Sequence, residues 1–194
     1  MGDKQGAVED YTRALYLSPN DVDTYYNRGN ARFELGDRQG AIEDYTQTTR
    51  LAPDFAKAYV NRGNARFELG DKQGAIEDYN QALCLSPDDG DTYYNRGNVR
   101  FQLGDKQGAI EDYTQTTRLA PDFAKAYVNR GKARFELGDK RGAIKDYNQA
   151  LRFSSSDEIA YYNRAIVYFE LGYKEEATKD FIKAILLSCR PWRC

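Results

Sequence analysis

The chain has 194 residues, 28 basic against 30 acidic side chains, a net charge of −2 and 41% hydrophobic residues. Near balance of charge argues against nucleic acid or an anionic membrane as the default partner, and the modest apolar supply suits a thin, high-surface architecture better than a deep core. Histidine is absent, which removes HExxH zinc sites, Cys/His fingers, serine–histidine triads and the commonest general base.

From the N-terminus, residues 4–18 read as a single helix rich in charged side chains. The polar start "MGDKQGAVEDY" has no apolar stretch of the kind a secretory signal needs, and Gly6 breaks the myristoylation pattern that Met1-Gly2 would open. At Tyr25 begins the string "YYNRGNARFELGD", which returns with small changes at Tyr59, Tyr93, Tyr127 and Tyr161, each thirty-four residues on. Pro19, Pro53, Pro87 and Pro121 mark the same period. Counting position 1 at Val22, position 15 is Gly36, Gly70, Gly104, Gly138 and Gly172, and position 20 is Ala41, Ala75, Ala109, Ala143 and Ala177.

Each period predicts two helices. The first, helix A, starts after Pro-Asp, with Asp54 and Asp122 as expected caps, and stops at Leu-Gly, where glycine accepts the left-handed turn. The second, helix B, starts at Asp37, Asp71, Asp105 or Asp139 as N-cap, and "GAIEDYTQTTRL" puts Ala41, Tyr45, Thr48 and Thr49 on one face. Helices this short are marginal alone and must bury their stripes against neighbours, so the unit is useful only when stacked. Residues 22–89 and 90–157 differ at eleven of 68 positions, which reads as duplication of a two-repeat block.

On these residues the chain resembles tetratricopeptide repeat (TPR) proteins, and the "YNRG" and "GAIEDY" strings resemble arrays common in cyanobacteria. The resemblance implies an all-α fold, a right-handed α-solenoid of tandem helix-turn-helix units. It divides residues 1–188 into a half repeat at 2–21 and full repeats at 22–55, 56–89, 90–123, 124–157 and 158–188, with a tail at 189–194. Position 7, often Leu in the family, is Arg28, Arg62, Arg96, Arg130 and Arg164, and position 23 is Asp44, Asp78, Asp112, Asp146 and Asp180. These are expected to form an ion pair inside each repeat. The arginines at position 11, such as Arg32 and Arg66, have no evident partner in the sequence.

The resemblance also implies an inner groove lined by helix A. Its expected contact residues are Tyr26, Asn27, Asn30, Asn61, Asn64, Tyr94, Asn95, Asn98, Lys125, Asn129, Lys132 and Tyr162. Rows of asparagine can bond a peptide backbone whatever its side chains are, and tyrosine gives contact area at low entropy cost. The same asparagines are equally suited to bonding the neighbouring repeat. Phe33, Phe67, Phe101, Phe135 and Phe169 at position 12 are expected in the core, and Glu34, Glu68, Glu136 and Glu170 at position 13 are expected to add negative charge that favours a neutral or basic peptide. The family's clamp for chaperone carboxylate tails is matched at Asn64, Asn95 and Lys125 but not at Val60 and Asn129, so that ligand is rejected.

The adjacent carboxylates of "IEDY" point different ways on a helix and make a poor acid/base pair. Cys84, Cys189 and Cys194 are too few for a disulfide framework or a metal site, which fits a reducing cytoplasm. The expected function is therefore a cytoplasmic, non-catalytic scaffold that binds a protein or peptide, with no cofactor, metal, nucleic acid or membrane partner. The alternatives are a self-assembling module that forms a homo-oligomer through apolar end helices, and an accessory repeat region of a larger protein.

Overall fold

The computed structural model describes residues 3–189. Among these there are eleven α-helices and no strand. They are α1 (Lys4–Leu17), α2 (Val22–Leu35), α3 (Arg38–Leu51), α4 (Ala56–Glu68), α5 (Lys72–Leu85), α6 (Gly90–Gln102), α7 (Lys106–Leu119), α8 (Ala124–Glu136), α9 (Lys140–Phe153), α10 (Glu158–Glu170) and α11 (Lys174–Ser188). The chain forms two compact units, one up to Val99 and one from Arg100 onward.

In the first unit α2 pairs with α3 and α4 with α5, while α1 packs on α2 and α3 on α4. In the second, α8 pairs with α9 and α10 with α11, and α7 packs on α8. The turn inside a pair is set by two local devices. Gly36 takes φ 90°, and its N–H closes the end of α2 on the carbonyls of Arg32 and Phe33. Asp37 then caps α3 by accepting from Gly40 N–H at 2.9 Å. The same cap is made by Asp71 on Gly74, Asp105 on Gly108 and Asp139 on Gly142.

Small residues let the two helices of a pair approach. Ala41, Ala75, Ala109 and Ala143 are fully buried, and Tyr45, Tyr79, Tyr113 and Tyr147 nearly so. A Cβ placed on Gly29 would lie 2.8 Å from Cε1 of Tyr45, and one on Gly63 at the same distance from Tyr79. Tyrosine on helix B thus fills the space that glycine leaves on helix A. In the first unit Ala75, Tyr79 and Val99 form a core with Val60, Phe67 and Ile76 around it. In the second the core is Val128, Ala143, Tyr147, Ala150, Ala160 and Val167.

One expectation about helix starts is corrected. Asp54 and Asp122 do not cap α4 and α8: the capping positions are Phe55 and Phe123, which make no side-chain hydrogen bond to the helix. Asp54 stands one residue too early, and its carbonyl accepts from Ala56 N–H. Where the residue directly before helix A is aspartate, it caps. Asp21 accepts from the N–H groups of Asp23 and Thr24, Asp89 from those of Asp91 and Thr92, and Asp157 from Ala160. Phe55 has a different role, since its ring lies 4.8 Å from that of Tyr26. Of the tail, Cys189 is exposed, and residues 190–194, with Cys194, lie outside the described residues.

The expected Arg–Asp pairs are present within each unit. Arg28 grips Asp44 through Nε at 2.9 Å and Nη2 at 2.6 Å. Arg62 grips Asp78, Arg130 grips Asp146 and Arg164 grips Asp180 in the same two-pronged way. The arginines at position 11, unassigned from the sequence, share these carboxylates: Arg32 Nη1 reaches Asp44 at 3.1 Å, Arg66 reaches Asp78 at 2.9 Å and Arg134 reaches Asp146 at 2.8 Å. Position 7 also ties repeats together, because Arg62 Nη1 donates to Thr46 and Thr49 of α3 and Arg130 Nη1 to Thr114 and Thr117 of α7. The bonds to Asp44 hold the Arg28 guanidinium above the usual range against the cost of its burial.

Candidate functional site

The asparagines on helix A are spaced three apart at positions 6 and 9, so they lie on adjoining strips of one face. In the first unit this face carries a polar ladder from repeat to repeat. Asn61 Nδ2 donates to Asn30 Oδ1 at 2.9 Å and to the Tyr26 hydroxyl at 3.2 Å. Tyr45, from the partner helix α3, donates its hydroxyl to the same Asn30 Oδ1 at 2.9 Å. One repeat further, the Tyr79 hydroxyl donates to Asn64 Oδ1 at 2.7 Å, and Asn95 Nδ2 donates to it at 3.4 Å. Burial pushes the Tyr45 and Tyr79 phenols well above their ordinary range, so both remain donors.

These residues surround two adjoining depressions. Asn30, Phe33, Glu34, Tyr45, Asn61 and Asn64 line the first. Phe33, Asn64, Phe67, Glu68, Tyr79, Asn95 and Asn98 line the second. Of the expected contact residues, Asn30, Asn61, Asn64, Asn95 and Asn98 therefore come together in the first unit. Tyr26 is half-buried, held between Phe55 and Tyr45, with its hydroxyl accepting from Asn61. Asn27 is exposed and lines neither depression, and Tyr94 is half-buried outside them.

In the second unit Lys125 and Lys132 are exposed and Asn129 is half-buried. The Lys132 ammonium lies 5.0 Å from the centre of the Phe101 ring, within cation–π range. Tyr162 packs against Phe181 and lines a separate apolar depression with Glu158, Ile159, Ala184, Ile185 and Ser188.

Phe33 and Phe67 were expected in the core. Both are half-buried: Phe67 packs against the Ala75–Tyr79–Val99 core and also walls the second depression, whereas Phe169, expected in the core as well, is exposed. Their periodic placement at position 12, one turn beyond Asn30 and Asn64, was the signal available in the sequence. The negative charge expected at position 13 is offset by basic partners. Each position-13 glutamate named here meets a basic residue from the preceding helix B: Lys4 to Glu34 at 2.8 Å, Arg38 to Glu68, Lys106 to Glu136 at 2.9 Å and Lys140 to Glu170 at 2.9 Å. The glutamates are charge-balanced at the rim, so they do not build an anionic channel. Arg38 also lies 4.0 Å over the Phe33 ring.

Among the described residues, no group of three or more Asp, Glu, His or Cys side chains has metal-binding geometry, and no helix is long and apolar enough to cross a membrane.

No protein of curated function matches the chain. Among solved structures, a MamA protein aligns at 25% identity over 86% of this chain and 91% of its own length, with a TM-score of 0.82. YrrB, described as a TPR protein with an unusual peptide-binding site, aligns at 22% identity over 93% of both chains with a TM-score of 0.81. A tetratricopeptide repeat protein from Parabacteroides merdae ATCC 43184 aligns at 24% identity over 98% of this chain and 75% of its own, with a TM-score of 0.80. These likenesses show the fold, an all-α solenoid of helix-turn-helix repeats. The TPR repeat family profile matches residues 1–36, 29–70, 63–104, 97–138 and 131–172, and the Tetratricopeptide repeat profile matches 159–188. The chain belongs to the tetratricopeptide repeat family.

Proposed function

We propose that this TPR protein is a non-catalytic scaffold that captures a protein segment along the helix A face. The repeats run as 22–55, 56–89, 90–123, 124–157 and 158–188 after a half repeat at 2–21, and the whole acts at a cytoplasmic location without a cofactor. The observation that carries the reading is the pair of adjoining depressions walled by Phe33 and Phe67 and rimmed by Asn30, Asn61, Asn64 and Asn95. Aromatic walls supply apolar burial, and amide rims supply donors and acceptors for a peptide backbone. That YrrB has a peptide-binding site on the same fold supports this use.

The test leaves the asparagine ladder intact. Glu34 and Glu68 are exposed at the rim, so a Glu34→Trp/Glu68→Trp variant fills both depressions without touching Asn30 or Asn61. Peptides selected from a random display library on the unaltered chain should lose about tenfold or more in affinity for the variant. Peptides that bind both proteins equally would place recognition elsewhere.

A second reading has its own observation. Ile159, Tyr162, Ile182, Ile185 and Leu186 on α10 and α11 are each more than half exposed, and clustered apolar exposure marks association surfaces. Homo-oligomerisation through this patch predicts a mass that rises with concentration in light scattering and falls back for Ile185→Lys. A constant monomeric mass rules it out.

A further inference from the structure

The two depressions in the first unit are the same site twice. Moving thirty-four residues along the sequence turns Asn30, Phe33, Glu34, Tyr45, Asn61 and Asn64 into Asn64, Phe67, Glu68, Tyr79, Asn95 and Asn98. Phe33 and Asn64 line both depressions, so the two sites share a wall. An occupant of both must present the same chemistry twice, at the separation between one helix A and the next.

That separation selects the ligand backbone. Helices α2 and α4 are direct neighbours, joined by the Asn61–Asn30 bond at 2.9 Å, and packed helices lie about 8–10 Å apart. A β-strand repeats a side-chain direction every second residue, about 6.6 Å along, which falls short of the next depression. Its third residue is far enough along but faces away. A polyproline II helix returns to the same face at every third residue, about 9 Å along, which matches. An α-helical ligand would arrive with its backbone groups already bonded internally, whereas polyproline II has no internal hydrogen bonds and offers all of them.

The rim chemistry agrees. Asn30 Oδ1 takes two donors and Asn61 Nδ2 gives to two acceptors, so the ladder uses the carbonyl of one amide and the amino group of the other. Asn61 Oδ1 and Asn30 Nδ2 take no part in it, which supplies one acceptor and one donor for a ligand backbone. Glu34 and Glu68 are balanced by Lys4 and Arg38, so the rim selects for no charge. We propose that the occupant is an uncharged peptide in the polyproline II conformation with an apolar side chain at every third residue, one for each depression. This rests on the groove reading above and narrows it.

The test uses the full chain and synthetic probes. A fluorescein-labelled peptide of about four Leu-Pro-Gln triplets holds the required shape and period. A permuted peptide of the same composition breaks the leucine period, and a third carries leucine at every second residue without proline. Fluorescence anisotropy should show the triplet peptide binding about tenfold or more tightly than either comparator, with affinity falling when the triplets are shortened to one. Phe33→Ala, which removes the shared wall, should abolish that preference. Because the peptide comparison is made on the unaltered protein, it holds even if Phe33→Ala unfolds. Equal binding of all three peptides, lost in the Glu34→Trp/Glu68→Trp variant, would overturn the polyproline geometry and leave the groove reading standing. Binding that survives that variant would overturn both, and no binding by any of the three would overturn the polyproline proposal alone, with the groove reading then decided by the library-selected peptides.

Discussion

Asp78 sits between two arginines of the facing helix: Arg62 reaches it with Nη2 at 2.6 Å and Arg66 with Nη1 at 2.9 Å. The carboxylate is 2% exposed, whereas the arginines keep part of their guanidinium surface in water. In a buried position the two charge-assisted bonds offset the desolvation of one anion. Arg62 also lies over the Tyr59 ring at 5.4 Å and reaches back to Thr46 and Thr49 of the previous repeat. One aspartate thus fixes both the hairpin and the arginine that staples it to its neighbour.

Removing that carboxylate should therefore cost more than removing either arginine. Asp78→Ala leaves two guanidinium groups facing each other in a half-buried site, and a loss of about 3–5 kcal/mol is expected in urea unfolding. Arg66→Ala leaves the two-pronged Arg62 bond in place and should cost about 1–2 kcal/mol. Equal losses for the two variants would mean that the carboxylate acts through Arg66 alone and that the Arg62 bonds add nothing net.

Gly63 and Tyr79 make a second coupled pair. A Cβ at position 63 would stand 2.8 Å from Tyr79 Cε1 and 3.3 Å from the Ala75 carbonyl oxygen, so the ring and the helix backbone both resist it. Gly63→Ala should lower stability by about 1–3 kcal/mol despite the helix propensity gained. In Tyr79→Leu, which removes the ring edge, the same substitution should cost measurably less. A double-mutant cycle with no coupling would show that the clash is relieved some other way.

How much of this the sequence disclosed follows from the range of each contact. The period, the two helices per repeat and the Arg62–Asp78 pair were legible, because they depend on spacing within one hairpin. Arg66 lay one turn beyond Arg62 on the same face and pointed to the same carboxylate, but nothing in composition says that one aspartate takes two cations. The pairing of Glu68 with Arg38 was hidden for a different reason. It joins the end of one helix A to the start of the preceding helix B, and that register exists only once repeats are stacked. The caps failed by a single residue: "PDF" and "PDD" look alike at Asp54 and Asp88, yet the capping place belongs to Phe55 in one and Asp89 in the other. The asparagines suited both ligand binding and repeat bonding in the sequence, and the structure shows the bonds between repeats.

The ladder predicts unequal roles for asparagines in similar sequence settings. Asn61 donates to both Asn30 and Tyr26, so Asn61→Ala should cost about 1–2 kcal/mol in thermal or urea unfolding. Asn27 occupies the same position one repeat earlier but is exposed, and Asn27→Ala should stay within about 0.5 kcal/mol of the parent. If both substitutions are neutral, the ladder contributes nothing net to stability and the amides are available to a ligand without penalty.

The buried tyrosines predict how the fold responds to alkali. Burial raises the phenol pKa of Tyr45, Tyr79 and Tyr147 above the ordinary 10.0, because the phenolate would lose its hydration. The unfolded chain therefore releases these protons first. Above pH 10 it binds fewer protons than the folded chain, so stability falls as pH rises. The contribution is fully present below about pH 10 and is lost progressively as pH climbs toward the folded-state value. The melting temperature should hold steady up to about pH 9 and then drop, and ultraviolet titration should show these phenols ionising together with the loss of helical circular dichroism. Replacing Tyr79 by Phe removes one such proton and should make the alkaline decline shallower, although it also deprives Asn64 of its donor. Smooth ionisation of all the tyrosines near pH 10 with the helices intact would contradict the buried Tyr–Asn arrangement on which the ladder depends.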